Sequence, residues 1–101
     1  MSKKIIWSDI AKQDIISIKK YFNARNKSNV YSKKLLVLFR DTVKLICKYP
    51  YLSVNTDRKK VRSFVVKSYI IFFEIKPDCI YIISVWDSRR DPDQLKRILE
   101  K

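Results

Sequence analysis

The densest run of reactive side chains in the sequence is Arg58-Lys59-Lys60-Val61-Arg62, and a second cationic pair, Arg89-Arg90, follows some thirty residues later. Cations of this kind hold phosphates, and in a water-poor cleft they stabilise the extra charge of a pentacoordinate phosphorane. Strand alternation would put Arg62, Phe64 and Val66 on one face, so Arg62 can enter a concave site while Val61, Ser63 and Val65 turn away. Metal-free RNA cleavage needs two more groups, a base for the 2′-hydroxyl and an acid for the leaving 5′-oxygen. The chain has no histidine, which removes a histidine acid/base pair, a Ser-His-Asp triad and a histidine-ligated metal. Lys59 or Lys60 with a lowered pKa could act as the base, but no residue of the sequence stands out as the acid. The cationic half of a phosphoryl-transfer site is legible and the proton-transfer half is not.

Each of these residues also has a plainer reading. Arg89 and Arg90 stand beside Asp87 and Asp91, where an ion-paired loop needs no substrate. Tyr69 reads as a packing residue at the start of a strand, and Trp86 as a core or interface aromatic. Cys47 and Cys79 lie in apolar patterns without metal-ligand spacing, so buried reduced thiols are expected, with no metal and no cofactor.

The positioning elements must come from a chain of 101 residues, 47% hydrophobic and 13% aromatic. That supports one core, so residues 1–101 are expected to form a single domain, outside the disordered class. No apolar run is long enough to cross a membrane and the N-terminus lacks a signal-peptide core, so a cytoplasmic protein is expected. Lys and Arg number 23 against 10 acidic residues, a net charge of +13. Such a surface attracts polyanions and acidic proteins. Residues 1–50 carry 12 basic and 3 acidic side chains, and residues 51–67 carry 5 and 1. Compositional drift explains the first excess better than the second, which is concentrated in the Arg58–Arg62 run.

Residues 3–7 read as a short strand. Ser8 caps a helix whose Ala11, Ile15, Ile18 and Phe22 form an apolar stripe. A polar break over residues 23–29 precedes a second helix, with Leu36, Phe39, Val43 and Ile46 facing inward and Pro50 as its stop. Residues 52–59 have no apolar period and read as a loop. Three β-rich runs follow, 61–67, 69–76 and 79–86, joined by links short enough to require an antiparallel meander. A charged loop then leads to a short helix over Pro92–Glu100. The expected fold is α+β in the order β-α-α-β-β-β-α, a helical hairpin packed on an antiparallel sheet with the first strand at its edge. Residues 69–73 and 80–83 are apolar on both faces, so one face is expected to be under-covered and to receive a partner.

This order and several phrases resemble the RelE/ParE superfamily of toxins from type II toxin-antitoxin systems. The carrying residues are Trp7-Ser8-Asp9-Ile10-Ala11, Asp14-Ile15 through Tyr21, Tyr49-Pro50, Val61-Arg62-Ser63-Phe64, and Tyr69 through Ile75. The most specific is Ile82-Ile83-Ser84-Val85-Trp86-Asp87-Ser88-Arg89-Arg90-Asp91-Pro92. The resemblance spans nearly the whole chain. It implies a growth-inhibiting toxin neutralised by a cognate acidic antitoxin. RelE-type relatives cut mRNA at the ribosome without a metal; ParE-type relatives poison DNA gyrase and lack the nuclease residues. On the first pattern Lys59, Lys60, Arg62 and Arg89 would be catalytic, and Arg58 and Arg90 would join them in binding nucleic acid. A non-catalytic basic nucleic-acid-binding module, or an inactive toxin remnant, is the alternative.

Overall fold

Ser8 decides where the first helix begins. Its hydroxyl accepts a hydrogen bond from the Ala11 amide at 3.0 Å, satisfying one of the amide donors that a helix start leaves open. The computed structural model describes residues 4–56 and 60–89. Strand β1 (Lys4–Trp7) leads into helix α1 (Asp9–Asn26) and then helix α2 (Val30–Lys48). A 3-10 turn over Pro50–Leu52 precedes β2 (Val54–Asn55), β3 (Val61–Val66), β4 (Tyr69–Ile75) and β5 (Cys79–Asp87). The expected helix over Pro92–Glu100 lies outside the described residues.

The α+β expectation holds, with corrections. The sheet has five strands in the order β1-β5-β4-β3-β2 and is mixed rather than antiparallel, because β1 runs parallel to β5. The extra strand comes from the expected loop. Val54 pairs with Ser63 and Asn55 with Arg62, while the Thr56 amide and hydroxyl both donate to the Val61 carbonyl. Two residues are too few to show a period, so this strand left no mark in the apolar pattern. Helix α1 also runs four residues into the expected polar break, to Asn26.

The helices cover one face of the sheet. From α2 that face takes Leu35, Phe39, Val43 and Ile46; Leu35, not the expected Leu36, is the fully enclosed position, with Leu36 at the rim of the core. Ala11, Ile18 and Phe22 come from α1, and Ile71, Phe73, Ile80, Ile82 and Val85 from the sheet. Each large side chain so enclosed contributes about 1.5–3 kcal/mol. Phe72 and Trp86 stand outside this cluster, yet they are only 6% and 2% exposed. The exposed large apolar side chains of the strands stand towards the two edges of the sheet, Val54 and Val65 on β2 and β3 and Ile6 on β1.

Lacking glycine, the chain bends sharply at lysines. Lys27, Lys60 and Lys67 have φ of 51°, 72° and 57°, in the left-handed region that costs a residue with a Cβ roughly 1–2 kcal/mol. Lys27 closes α1, with its amide bonded to the Asn23 carbonyl. Lys67 opens the two-residue link between β3 and β4, a position where hairpins favour glycine.

Candidate functional site

Strand β1 is only four residues long, so β5 loses its strand neighbour after Ile82. Side chains and backbone at the start of α1 take over that edge. The Ser8 amide donates to the Ile82 carbonyl at 2.9 Å, and its hydroxyl donates to the Ile83 carbonyl at 2.6 Å. Nearly two turns further on, Asp14 Oδ2 accepts from the Ser84 hydroxyl at 2.9 Å and from the Val85 amide at 3.0 Å. A register shift between Phe72 and Phe73 places Ile83 opposite no residue of β4; this bulge bends β5 where the takeover occurs. The middle of α1 is thereby fixed against the last third of β5.

A cavity of about 350 Å³ lies beside this junction. Its walls are Asp14, Ser17 and Tyr21 from α1, Tyr69 from β4, and Asp87 and Arg89 at the end of β5. Tyr69 and Asp87 are cross-strand partners, and Ser88 ties the tail of β5 to the Ser68 carbonyl by its amide at 2.9 Å and its hydroxyl at 2.8 Å. The Tyr69 ring packs edge-on against Phe39 with centroids 5.3 Å apart. Burial raises its phenol pKa above the usual value, and the charge of Asp87 adds to the effect. The group is therefore a neutral hydroxyl throughout the neutral range.

Of the sequence-predicted cations that are described, Arg62 and Arg89 do not meet in this cavity or in any other one place. Arg89 folds back on Asp87, with Nε 2.9 Å from Oδ1 and one terminal nitrogen 2.8 Å from Oδ2. That two-point hydrogen bond, together with the carboxylate charge, raises the guanidinium pKa further. Arg62 is held at the opposite end of the sheet. Its Nε donates to the Ser53 hydroxyl at 2.6 Å, a terminal nitrogen donates to the Ser53 carbonyl at 2.8 Å, and the other terminal nitrogen bonds Asn55 Oδ1. The same guanidinium lies 5.2 Å from the centre of the Tyr51 ring. Arg62 pairs with Phe73, and Asp87 with Tyr69. Four residues along and two strands across correspond to about 17 Å between Arg62 and Asp87, the residue that Arg89 grips. Lys60 stands exposed in the turn before β3. Arg58, Lys59 and Arg90 lie outside the described residues.

A family model described as "ParE toxin of type II toxin-antitoxin system, parDE" matches residues 5–92. The chain belongs to the ParE toxin family. Among solved structures, a chain titled "Chromosomal ParDE TA system from P. aeruginosa" superposes with a TM-score of 0.71 at 15% identity, covering 83% of this chain and 94% of that one. At that identity the likeness speaks for the fold. No curated protein matches the sequence.

For this ParE family member, sequence reasoning passed over Asp14 and the Tyr69 hydroxyl. Asp14 carried a signal: it lies three residues after Ala11 and four before Ile18, a carboxylate within the inward stripe of α1. A charge there must find partners, and it finds Ser84 and Val85. Tyr69 does pack, as expected, but its oxygen has a second setting that no sequence pattern announces. A second, almost wholly apolar groove of about 420 Å³ runs beside β1 between the two helices, floored by Ile15, Leu36 and Phe39 and rimmed by Lys12 and Arg40. No helix among the described residues is long and apolar enough to cross a membrane. Nor do three or more Cys, Asp or Glu among them gather as metal ligands.

Proposed function

We propose that this ParE family member inhibits growth by contact with DNA gyrase rather than by cutting mRNA, and that an acidic antitoxin holds it inactive in the cytoplasm. The observation that carries the choice of target is the separation of Arg62 from Arg89. A phosphorane is stabilised by cations converging on one phosphate, whereas Arg62 stands about 17 Å on strand spacing from Asp87, which Arg89 grips, and each arginine is engaged with its own neighbours. The ParE match over residues 5–92 points the same way. The net charge of +13 supports an acidic partner, since opposite fields speed encounter and fix orientation.

The test is induced expression with and without the cognate antitoxin, followed by two assays on the same cells and protein. Gyrase inhibition is read from supercoiling of relaxed plasmid and from trapped cleaved DNA; mRNA cleavage is read by mapping 5′ ends in translating extracts. The reading expects arrested growth, inhibited gyrase and intact mRNA. Ribosome-dependent mRNA cuts with unaffected gyrase would overturn the target. Uninhibited growth without the antitoxin would leave a basic nucleic-acid-binding module or an inactive remnant.

A further inference from the structure

The cavity beside α1 contains a polar group whose circumstances are unusual. Tyr69 is only 3% exposed, and its hydroxyl makes no hydrogen bond among the described residues. Among the described residues no fully enclosed polar side-chain atom lacks a partner, so the little exposure Tyr69 keeps includes that oxygen, facing the cavity that the residue lines. A hydroxyl that opens into a cavity, with no bond to the protein among the described residues, is left to water in the free protein and can be taken over by a ligand group. Such a group is accounted for when a ligand completes it.

The walls restrict what that ligand can be. A carboxylate would meet Asp14 and Asp87, and a cation would meet Arg89 within a protein of net charge +13. A neutral group carrying both a carbonyl and an N–H fits best. Its oxygen takes the Tyr69 proton, and its N–H donates to a carboxylate oxygen alongside the bonds that Asp14 and Asp87 already accept, a carboxylate having about four lone-pair sites in all. Ile18 and Val85 provide apolar wall for the aliphatic part of such a side chain.

We propose that this cavity is a recognition pocket for a side-chain carboxamide, an asparagine or glutamine carried by the antitoxin. The choice of antitoxin rests on the reading that this protein is held by one, as its family implies. A group left open in the free protein then finds its partner in the complex, while the acidic charge of the antitoxin is met by exposed cations outside the pocket.

The experiment has two arms on the full chain. In the first, N-acetylglutamine amide, acetate and guanidinium are titrated separately while the tyrosine ring resonances are followed by NMR. The amide is expected to move the Tyr69 signals saturably. A Ser17→Leu variant, which fills the cavity from an exposed helix position, should lose the response. An equal response to acetate or guanidinium, or none to the amide, overturns the pocket assignment. In the second arm, Tyr69→Phe should melt no lower than wild type yet bind the antitoxin about tenfold more weakly, the worth of one hydrogen bond. Unchanged affinity overturns the proposal while leaving the toxin reading intact. Failure of the wild-type protein to bind the antitoxin overturns both.

Discussion

Removing the Arg62 side chain separates a structural clamp from a phosphate contact. Its guanidinium joins β3 to the segment from Ser53 to Asn55, with bonds of 2.6 and 2.8 Å to the Ser53 hydroxyl and carbonyl, and a third to Asn55. The first two are partly buried and the third is exposed. Hydrogen bonds from a charged donor are worth about 1.5–3 kcal/mol when shielded and much less in open water. Discounting the exposed bond and taking the low end for the other two gives about 3 kcal/mol for Arg62→Ala. In a chain of this size that corresponds to a fall in Tm of about 12–24 °C. Urea unfolding should show the midpoint drop at unchanged slope, because the same surface is exposed on unfolding.

Two companions sharpen the comparison. Arg62→Lys keeps the charge but cannot reproduce three bonds from one planar fork, so it should recover little of the lost stability. Ser53→Ala combined with Arg62→Ala should cost less than the sum of the single changes by about 1–2 kcal/mol, as expected for residues in direct contact. The reasoning is refuted if Arg62→Ala unfolds within about 0.5 kcal/mol of wild type while growth inhibition disappears. That result would make Arg62 a contact to the target, with its bonds to Ser53 and Asn55 incidental.

Three further outcomes follow from the same structure. Lys67→Gly should stabilise the protein by about 0.5–1 kcal/mol, the relief of a left-handed lysine less the added freedom of the unfolded chain, checked by urea denaturation. Asp14→Ala should cost about 2–3 kcal/mol, because it strips acceptors from Ser84 and Val85, and Asp14→Asn should cost less because one acceptor oxygen remains; hydrogen exchange at the Val85 amide reports the loss directly. For Tyr69 the folded phenol titrates above the unfolded one, so above about pH 10 the unfolded chain loses its proton first. Stability is then fully present below that pH and declines as pH rises through the folded value. Tyr69→Phe should remove this part of the alkaline decline in melting curves recorded from pH 8 to pH 11.

What the sequence disclosed was what local forces decide. Ser8 announces the start of α1 because an N-cap acts within three residues, and Pro50 announces the end of α2 for a similarly local reason. The meander was legible because its links are too short for any other connection. Arg89 on Asp87 was legible as well, since the two are neighbours in the chain. The features that stayed hidden are those fixed by distant pairing. Strand β2 exists because residues 54 and 55 meet 63 and 62. Arg62 acquires Ser53 and Asn55 through that same register, so alternation alone pointed it towards an open site that its hydrogen bonds lead away from. The bonds from Asp14 to Ser84 and Val85 span some seventy positions of sequence.

The distribution of charge bears on mechanism as much as its amount does. A nuclease site needs a few cations brought within hydrogen-bond reach of one phosphate, whereas encounter with a folded partner needs a field spread over a face. The two described arginines proposed for catalysis are occupied, one fastening β2 and one fastening the tail of β5. Other lysines, among them Lys19, Lys20, Lys33, Lys34 and Lys44, stand exposed on the two helices, which carry only Asp9, Asp14 and Asp41 in return. Asp14 is turned to the β5 edge, and Asp41 lies 3.8 Å from Arg40, so little of the helical charge is cancelled. Rimming the apolar groove with Lys12 and Arg40 places that field around a surface able to bury a partner's apolar side chains. On the proposed reading, long-range attraction and short-range burial act on the same docking event, an arrangement suited to capture by a protein more than to cleavage of a strand.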